Sequence, residues 1–195
     1  MNKKIIIVGG VAGGASAAAR LRRLDETLDI IILEKGDYIS FANCGLPYHI
    51  SNVIPNRESL FLQTPESLKK RLNIEARIAN EVISIDKDHK TVTVKDLNTN
   101  STYVESYDKL ILSPGASPIK PNISGLEKAK NLFTLRNVPD TDKIKNFIKE
   151  HNPKTATIVG GGFIGLEMAE NLHNLGIDIT IIEMAKQILP PIDYE

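Results

Sequence analysis

The 195-residue sequence has no tryptophan, one cysteine and only 5% aromatic residues. A lone Cys44 excludes an internal disulfide and suits a reducing compartment, so the cytoplasm is the expected location. Charge of one sign is also lacking: 24 basic and 24 acidic side chains cancel to a formal net charge of zero. That balance excludes nucleic acid or an acidic membrane as a partner held by bulk electrostatics. No apolar run approaches the ~18 residues of a spanning helix. Met1-Asn2-Lys3-Lys4 leads directly into Ile5-Ile6-Ile7-Val8, which reads as a first core strand rather than a signal peptide. What is present is a 42% hydrophobic chain, ample for a globular core. At roughly 150 residues per domain, it makes one domain with something left over.

The strongest pattern is strand, glycine turn, helix, strand. Lys4–Val8 is a β-branched run of the kind buried on both faces of a parallel sheet. Gly9-Gly10-Val11-Ala12-Gly13-Gly14 follows, then a helix over Ala15–Leu24 and a second strand over Asp29–Glu34. Thr64-Pro65-Glu66 carries a capping hydroxyl, a first-turn proline and an acid, the marks of a helix start. From Asn73 to Ser106 the hydrophobic period changes to two. Ile74–Ala79, Val82–Ile85, Thr91–Val94 and Thr102–Glu105 are expected to form an antiparallel meander. Leu110–Leu112 is a further buried strand, and the proline-rich stretch from Pro114 to Pro121 a linker or crossing point. Asp140 or Thr141 is expected to cap a helix running to about Glu150.

The opening pattern then recurs. Thr155–Val159 reads as a strand, Gly160-Gly161-Gly162-Phe163-Ile164-Gly165 as a glycine turn, Leu166–Leu175 as a helix ended by Gly176, and Ile177–Glu183 as a strand. A Gly-x-Gly-x-x-Gly turn between strand and helix lets the backbone approach a pyrophosphate at the helix N-terminus, and an acid about twenty residues on takes a ribose hydroxyl. Gly160, Gly162, Gly165 and Glu183 fit this in full. Gly9, Gly14 and Glu34 fit it with Val11 in place of the middle glycine. Glycines of this kind also allow tight strand–helix packing without any ligand, but two copies, each with its acid, favour nucleotide binding. Glu183 repels a 2′-phosphate and favours NADH over NADPH, while Lys186 close by pulls the other way. Two nucleotide sites in one chain imply hydride transfer from a nicotinamide to a flavin.

Cys44 precedes Gly45-Leu46-Pro47, which reads as the start of a short helix. There the macrodipole and free N–H groups would stabilise a thiolate. On position alone, a small buried hydrophobe, the usual fate of a free cysteine, is the favoured reading.

The string Ser40-Phe41-Ala42-Asn43-Cys44-Gly45-Leu46-Pro47-Tyr48 resembles the active-site motif of the coenzyme A disulfide reductases. These form, with NADH oxidases and peroxidases, the single-cysteine branch of the pyridine nucleotide–disulfide oxidoreductases. Gly9–Ser16 with Arg20 to Leu24, Tyr107–Ala116 and Thr134-Leu135-Arg136-Asn137 resemble the same branch, in which the Val11 departure recurs.

The resemblance implies an α/β, Rossmann-like FAD/NAD(P)-binding fold, a parallel sheet with helices plus an antiparallel meander, cut within the second nucleotide domain. Residues 1–115 would be the N-terminal part of the FAD domain, 116–150 a connecting segment with a helix, and 151–195 the start of the NAD(P)H domain. It implies Cys44 as the catalytic thiol, FAD and NADH or NADPH as cofactors, coenzyme A or its disulfide as partner, and a homodimer in the full-length protein. Implied cofactor contacts are Gly9, Val11, Ala12, Gly13, Gly14, Glu34, Lys35, Asn43, Val82, Ser113, Pro114 and Gly115 for the flavin nucleotide. For the nicotinamide nucleotide they are Gly160, Gly162, Phe163, Ile164, Gly165 and Glu183. Implied coenzyme A contacts are Ser16, Arg20, Arg23, Ser40, Asn43 and Arg71, the last standing beside Leu72 where the family has a basic residue. No histidine receives a role, and no metal site is expected. NADH oxidase, peroxidase or polysulfide reductase activity remains the alternative within the class. An incomplete nucleotide-binding fragment is the alternative outside it.

Overall fold

The computed structural model describes residues 2–189 and Ile192. Residues 190, 191 and 193–195, the last of the expected nicotinamide segment, lie outside them. The described chain forms two compact units. One holds everything up to Phe41 together with Phe61–Ala116; the other holds Ala42–Leu60 and everything from Ser117 onward. This interleaving differs from the continuous segments read from the sequence.

The first unit is built on a four-stranded parallel sheet of β1 (Lys4–Val8), β2 (Asp29–Leu33), β3 (Glu75–Arg77) and β7 (Lys109–Leu112), in the order β3-β2-β1-β7. Strand alternation sends the isoleucine run to both faces. Ile5, Ile7, Ile30 and Ile32 pack with Ala18 of α1 (Ala12–Leu24) and Leu68 of α3 (Pro65–Leu72). Ile6, Ile31 and Leu33 pack on the other side with Val92 and Val94. Each fully buried isoleucine contributes roughly 1.5–3 kcal/mol.

Those two valines belong to β5 (Thr91–Asp96), the middle strand of an antiparallel meander with β4 (Asn80–Asp86) and β6 (Thr102–Ser106). The expected meander is thus present with one strand fewer. Residues 75–77 instead pair in parallel with β2, because Ile74 is wholly buried among the sheet's helix-side residues. Thr64 caps α3 as read, with Ser67 completing the reciprocal bond pair.

The second unit begins with a 3-10 turn, Asn43–Gly45, that runs into α2 (Leu46–Ile50). Its core joins Ile50 to Ile144 of α4 (Val138–His151), to Met168 and Leu172 of α5 (Phe163–His173), and to Ile177. This burial of Ile50 groups the thiol segment with α4 and α5. Arg57 holds the segment further, its Nε and Nη2 donating to the Asp142 carboxylate at 3.0 and 2.8 Å. The cap of α4 is Asn137 rather than Asp140 or Thr141; its side chain accepts the Asp140 N–H at 2.9 Å, and Pro139 sits in the first turn where no N–H is needed. Strands β8 (Thr155–Val159) and β9 (Asp178–Ile182) pair in parallel beside α5. Val159 and Ile182 on this sheet remain 57% and 54% exposed.

Candidate functional site

The two glycine turns are built alike. In the first, Gly9 has φ +94°, and a Cβ there would stand 2.1 Å from the Ser113 carbonyl oxygen. A Cβ on Gly14 would stand 1.7 Å from the Gly9 oxygen. In the second, Gly160 has φ +108°, and a Cβ on Gly165 would stand 2.1 Å from the Gly160 oxygen. The outer glycines are therefore required by chain geometry alone. The middle position differs, since a Cβ on Gly162 would meet nothing within 4 Å among the described residues. That glycine leaves room in front of a helix end rather than relieving a clash.

Both helices that follow start bare. Val11 before α1 and Gly162 before α5 make no side-chain capping bond, and neither helix has an acid in its first turn. By contrast, α3 and α4 are capped by Thr64 and Asn137 and carry Glu66 and Asp140 there. An uncapped N-terminus offers free N–H groups and partial positive charge to an anion.

Each turn is also closed by its acid. Glu34 accepts the N–H groups of Gly10 and Gly36, both at 2.7 Å. Glu183 accepts those of Gly161 and Ala185, both at 2.7 Å. The Ala185 and Gly161 bonds hold the Glu183 carboxyl below its ordinary pKa, against a smaller opposing effect of desolvation. Both acids are thus oriented at the strand ends, and each carboxylate oxygen keeps a second lone pair for a ribose hydroxyl. Space at Gly162, bare helix ends and poised acids together fit two dinucleotides.

Gly10 and Gly161 donate the N–H groups that orient these acids, a part the Gly-x-Gly-x-x-Gly spacing does not assign to them. Their repetition as the second glycine of each turn was the available signal.

Of the other expected flavin contacts, Ser113 and Pro114 lie against Gly9. Gly13 lies against the Ser113 side chain, and Gly115 has φ +69°. Lys35 pairs with Glu81 at 2.8 Å. Val82 gives its side chain to the core and stands opposite Val94 in the meander. On α1, Ser16, Arg20 and Arg23 are all exposed and fall on one stripe of the helix. Arg71 is exposed on α3. Ser40 adopts φ +45°, uncommon for a residue with a side chain, and its N–H donates to Gly10 O at 2.9 Å. The chain is so anchored to the first glycine turn four residues before Cys44 in sequence.

Cys44 is exposed, in the middle of the Asn43–Gly45 turn. It is not the small buried hydrophobe that its position alone favoured. Its successors Gly45, Leu46, Pro47, His49 and Ile50 are all buried, so a packed scaffold presents the thiol. Beside it Asn43, Leu46 and Pro47 share a cleft of about 60 Å³ with Leu135, Arg136, Ile164 and Glu167. The Oδ1 of Asn43 is buried with no hydrogen-bond partner among the described residues. Such an acceptor costs stability unless a ligand or water donates to it. Phe163 and Ile164 are both exposed at the start of α5.

Comparison with known proteins gives a consistent picture. The family model described as pyridine nucleotide-disulphide oxidoreductase matches residues 3–195. The chain is 45% identical over 193 residues to a coenzyme A disulfide reductase of Staphylococcus haemolyticus, covering 99% of this chain and 43% of the relative. The crystal structure of reduced Bacillus anthracis CoADR-RHD superposes with a TM-score of 0.97 at 60% identity, covering 100% of this chain and 35% of that one. A NAD-dependent persulfide reductase from A. fulgidus superposes with a TM-score of 0.90 at 35% identity, covering 96% of this chain and 34% of that one. The chain therefore spans less than half the length of the proteins it matches.

Proposed function

This chain belongs to the pyridine nucleotide–disulphide oxidoreductase family, and from that membership we propose that it carries the flavin turn and redox thiol of a coenzyme A disulfide reductase. The observation that carries the reading is the exposure of Cys44 on a turn whose following residues are buried. A purely structural thiol belongs inside, where it packs as a small apolar group.

In this reading residues 1–115 are the N-terminal part of the FAD domain, 116–150 a connecting segment with a helix, and 151–195 the start of the NAD(P)H domain. Gly9, Val11, Ala12, Gly13, Gly14, Glu34, Lys35, Asn43, Val82, Ser113, Pro114 and Gly115 hold the flavin nucleotide. Gly160, Gly162, Phe163, Ile164, Gly165 and Glu183 hold the nicotinamide nucleotide, with NADH preferred on the charge of Glu183. When bound, these groups supply two electrons to a disulfide.

The chemistry of this chain's own residues is thiol–disulfide exchange. The Cys44 thiolate attacks one sulfur of coenzyme A disulfide, forming a Cys44–S–S–coenzyme A bond and releasing one coenzyme A thiolate. Two electrons cleave that mixed disulfide, returning Cys44 as thiolate and freeing the second coenzyme A. Ser16, Arg20 and Arg23 on one stripe of α1, with Ser40 and Arg71, bind the phosphates and polar groups of coenzyme A. Asn43 offers its buried Oδ1 to a donor of the substrate or cofactor.

Coenzyme A disulfide is the proposed partner, the cytoplasm the proposed compartment, and a homodimer the proposed state of the complete protein. Support is the relatedness to coenzyme A disulfide reductases and the lone reduced thiol. The test is Cys44→Ser in the complete protein. NADH should still bleach the flavin, while NADH-driven coenzyme A disulfide reduction should disappear. Undiminished disulfide turnover, or faster wild-type turnover with peroxide, oxygen or polysulfide, overturns the assignment.

A further inference from the structure

Asn171 stands in the third turn of α5 and is only 1% exposed. Asparagine is a poor helix former, and leucine would suit a buried helix position better. Both of its polar atoms are engaged. Nδ2 donates to the Glu167 carbonyl, one turn earlier, at 2.8 Å. Only the amide nitrogen can donate there, so Oδ1 is left facing Ser51, whose hydroxyl donates to it at 2.5 Å. The Ser51 oxygen also lies 3.1 Å from the Tyr48 carbonyl. A hydroxyl has one proton, and the shorter contact takes it.

Ser51 closes α2, the helix that follows the Cys44 turn. Ile164, Glu167 and Asn171 are spaced three and four apart, so they lie along one stripe of α5. At the front of that stripe, Ile164 and Glu167 share the cleft with Asn43, Leu46 and Pro47. At its back, Asn171 holds Ser51. The seam between α2 and α5 is thus open beside the thiol turn and fastened at the far end. Ile50 packs on the same helix through Met168 and Leu172, but apolar contact has no direction and lets α2 slide or turn. A hydrogen bond has direction and sets one register.

The two helices differ in rigidity. Helix α5 has eleven residues and shares its core with Ala156 and Ile158 of β8 and Ile179 of β9. Helix α2 has five, too few to persist alone. Lys145 of α4 donates to the His49 carbonyl at 2.8 Å and keeps α2 docked from another side. Loss of the Asn171 bond therefore shifts α2 and leaves α5 in place.

We propose that Asn171 and Ser51 are positioning residues for the thiol: their hydrogen bond sets the register of α2 against α5, and with it the place of Cys44 in disulfide exchange. The proposal rests on the reading of Cys44 as the redox thiol for its consequence in turnover. The register itself is a property of the second unit.

The experiment uses the complete flavin-loaded protein. It compares wild type with Ser51→Ala, Ser51→Thr, Asn171→Leu, the Ser51→Ala/Asn171→Leu double variant, and Ile179→Val, which thins the same core from the sheet side. Misplacing a reacting group by about 1 Å costs up to about 10²-fold in rate. The kcat for coenzyme A disulfide should accordingly fall about tenfold in Ser51→Ala and in Asn171→Leu, with its KM and the bleaching of the flavin by NADH little changed. The double variant should fall no further than either single one, because all three lose the same bond. Ser51→Thr keeps the hydroxyl and should restore kcat. Ile179→Val should lower the thermal midpoint and leave kcat unchanged. Hydrogen exchange gives a readout independent of turnover: protection over residues 43–54 should fall severalfold in Ser51→Ala and Asn171→Leu and hold at the wild-type level over α5. Wild-type kcat in both single variants, losses that multiply in the double variant, or an equal loss in Ile179→Val overturns the proposal. Where Asn171→Leu does not fold, Ser51→Ala against Ser51→Thr decides it alone. If exchange behaves as stated but wild type reduces no coenzyme A disulfide, the functional reading fails and the register stands.

Discussion

The Glu183 carboxylate accepts the Gly161 N–H at 2.7 Å, repeating at the second turn the bond that joins Glu34 to Gly10 at the same distance. Backbone bonds from Ala185 and Gly161 lower the Glu183 pKa, so under the proposed nucleotide site its negative charge would oppose a 2′-phosphate. Glu183→Ala should lower the ratio of kcat/KM for NADH over NADPH by about tenfold, or 1.4 kcal/mol. Steady-state kinetics with both nucleotides checks this, and an unchanged ratio removes Glu183 from cofactor choice.

The glycines separate into packing and binding positions. Gly14→Ala drives a Cβ to 1.7 Å from the Gly9 oxygen and Gly165→Ala to 2.1 Å from that of Gly160. Each should destabilise the fold by about 2 kcal/mol, seen as a lower thermal midpoint. Gly162→Ala has open space around its new methyl. Its midpoint should stay within a degree or so of wild type while the KM for NADH rises severalfold. Equal stability losses at all three positions would contradict the distinction.

Three arginines on α1 should behave in two ways. Arg22 is 7% exposed and donates to the carbonyls of Leu72, Glu26, Leu28 and Asn73 at 2.6 to 3.0 Å. Arg22→Met strands those acceptors and should cost about 3 kcal/mol in denaturant unfolding. Arg20→Ala and Arg23→Ala, both at exposed positions, should leave stability within about 0.5 kcal/mol. They should instead raise the KM for coenzyme A disulfide, with kcat little changed. A stability loss at Arg20 as large as at Arg22 would contradict the assignment of its side chain to substrate.

The periodic parts of this fold could be read in advance, and the exceptions have local causes. Buried parallel strands such as Lys4–Val8 and Asp29–Leu33 announce themselves as unbroken β-branched runs, and both glycine turns lie where their spacing put them. Residues 75–77 were misplaced because a three-residue strand shows period two whether its partner is parallel or antiparallel; only burial of Ile74 settles it. Helix α1 starts at Ala12, three residues before the expected Ala15, because Gly13 and Gly14 lie inside its first turn. Arg22 was invisible as a key residue because partners such as Leu72 and Asn73 are remote in sequence.

Acid should weaken the first unit through Glu105. Burial raises its pKa, but bonds from Lys4 and Arg77 outweigh that and leave it below its ordinary value of 4.5. A carboxyl depressed in the folded state adds stability above its unfolded pKa, and that contribution is lost as pH falls through the folded value. The stability gap between wild type and Glu105→Gln should therefore be full near neutrality and shrink below about pH 4.5. Urea unfolding at several pH values checks it; a gap constant into acid would contradict the ion-pair account.

The central claim is that Cys44 exchanges disulfide bonds with coenzyme A. Intact-mass spectrometry of the complete protein, before and after a reductant, tests this most directly. The account predicts an adduct of coenzyme A mass on the peptide containing Cys44, formed on exposure to coenzyme A disulfide, released by reductant and absent from Cys44→Ser. A wild-type mass unchanged by coenzyme A disulfide, with Cys44 remaining a free thiol, would contradict it.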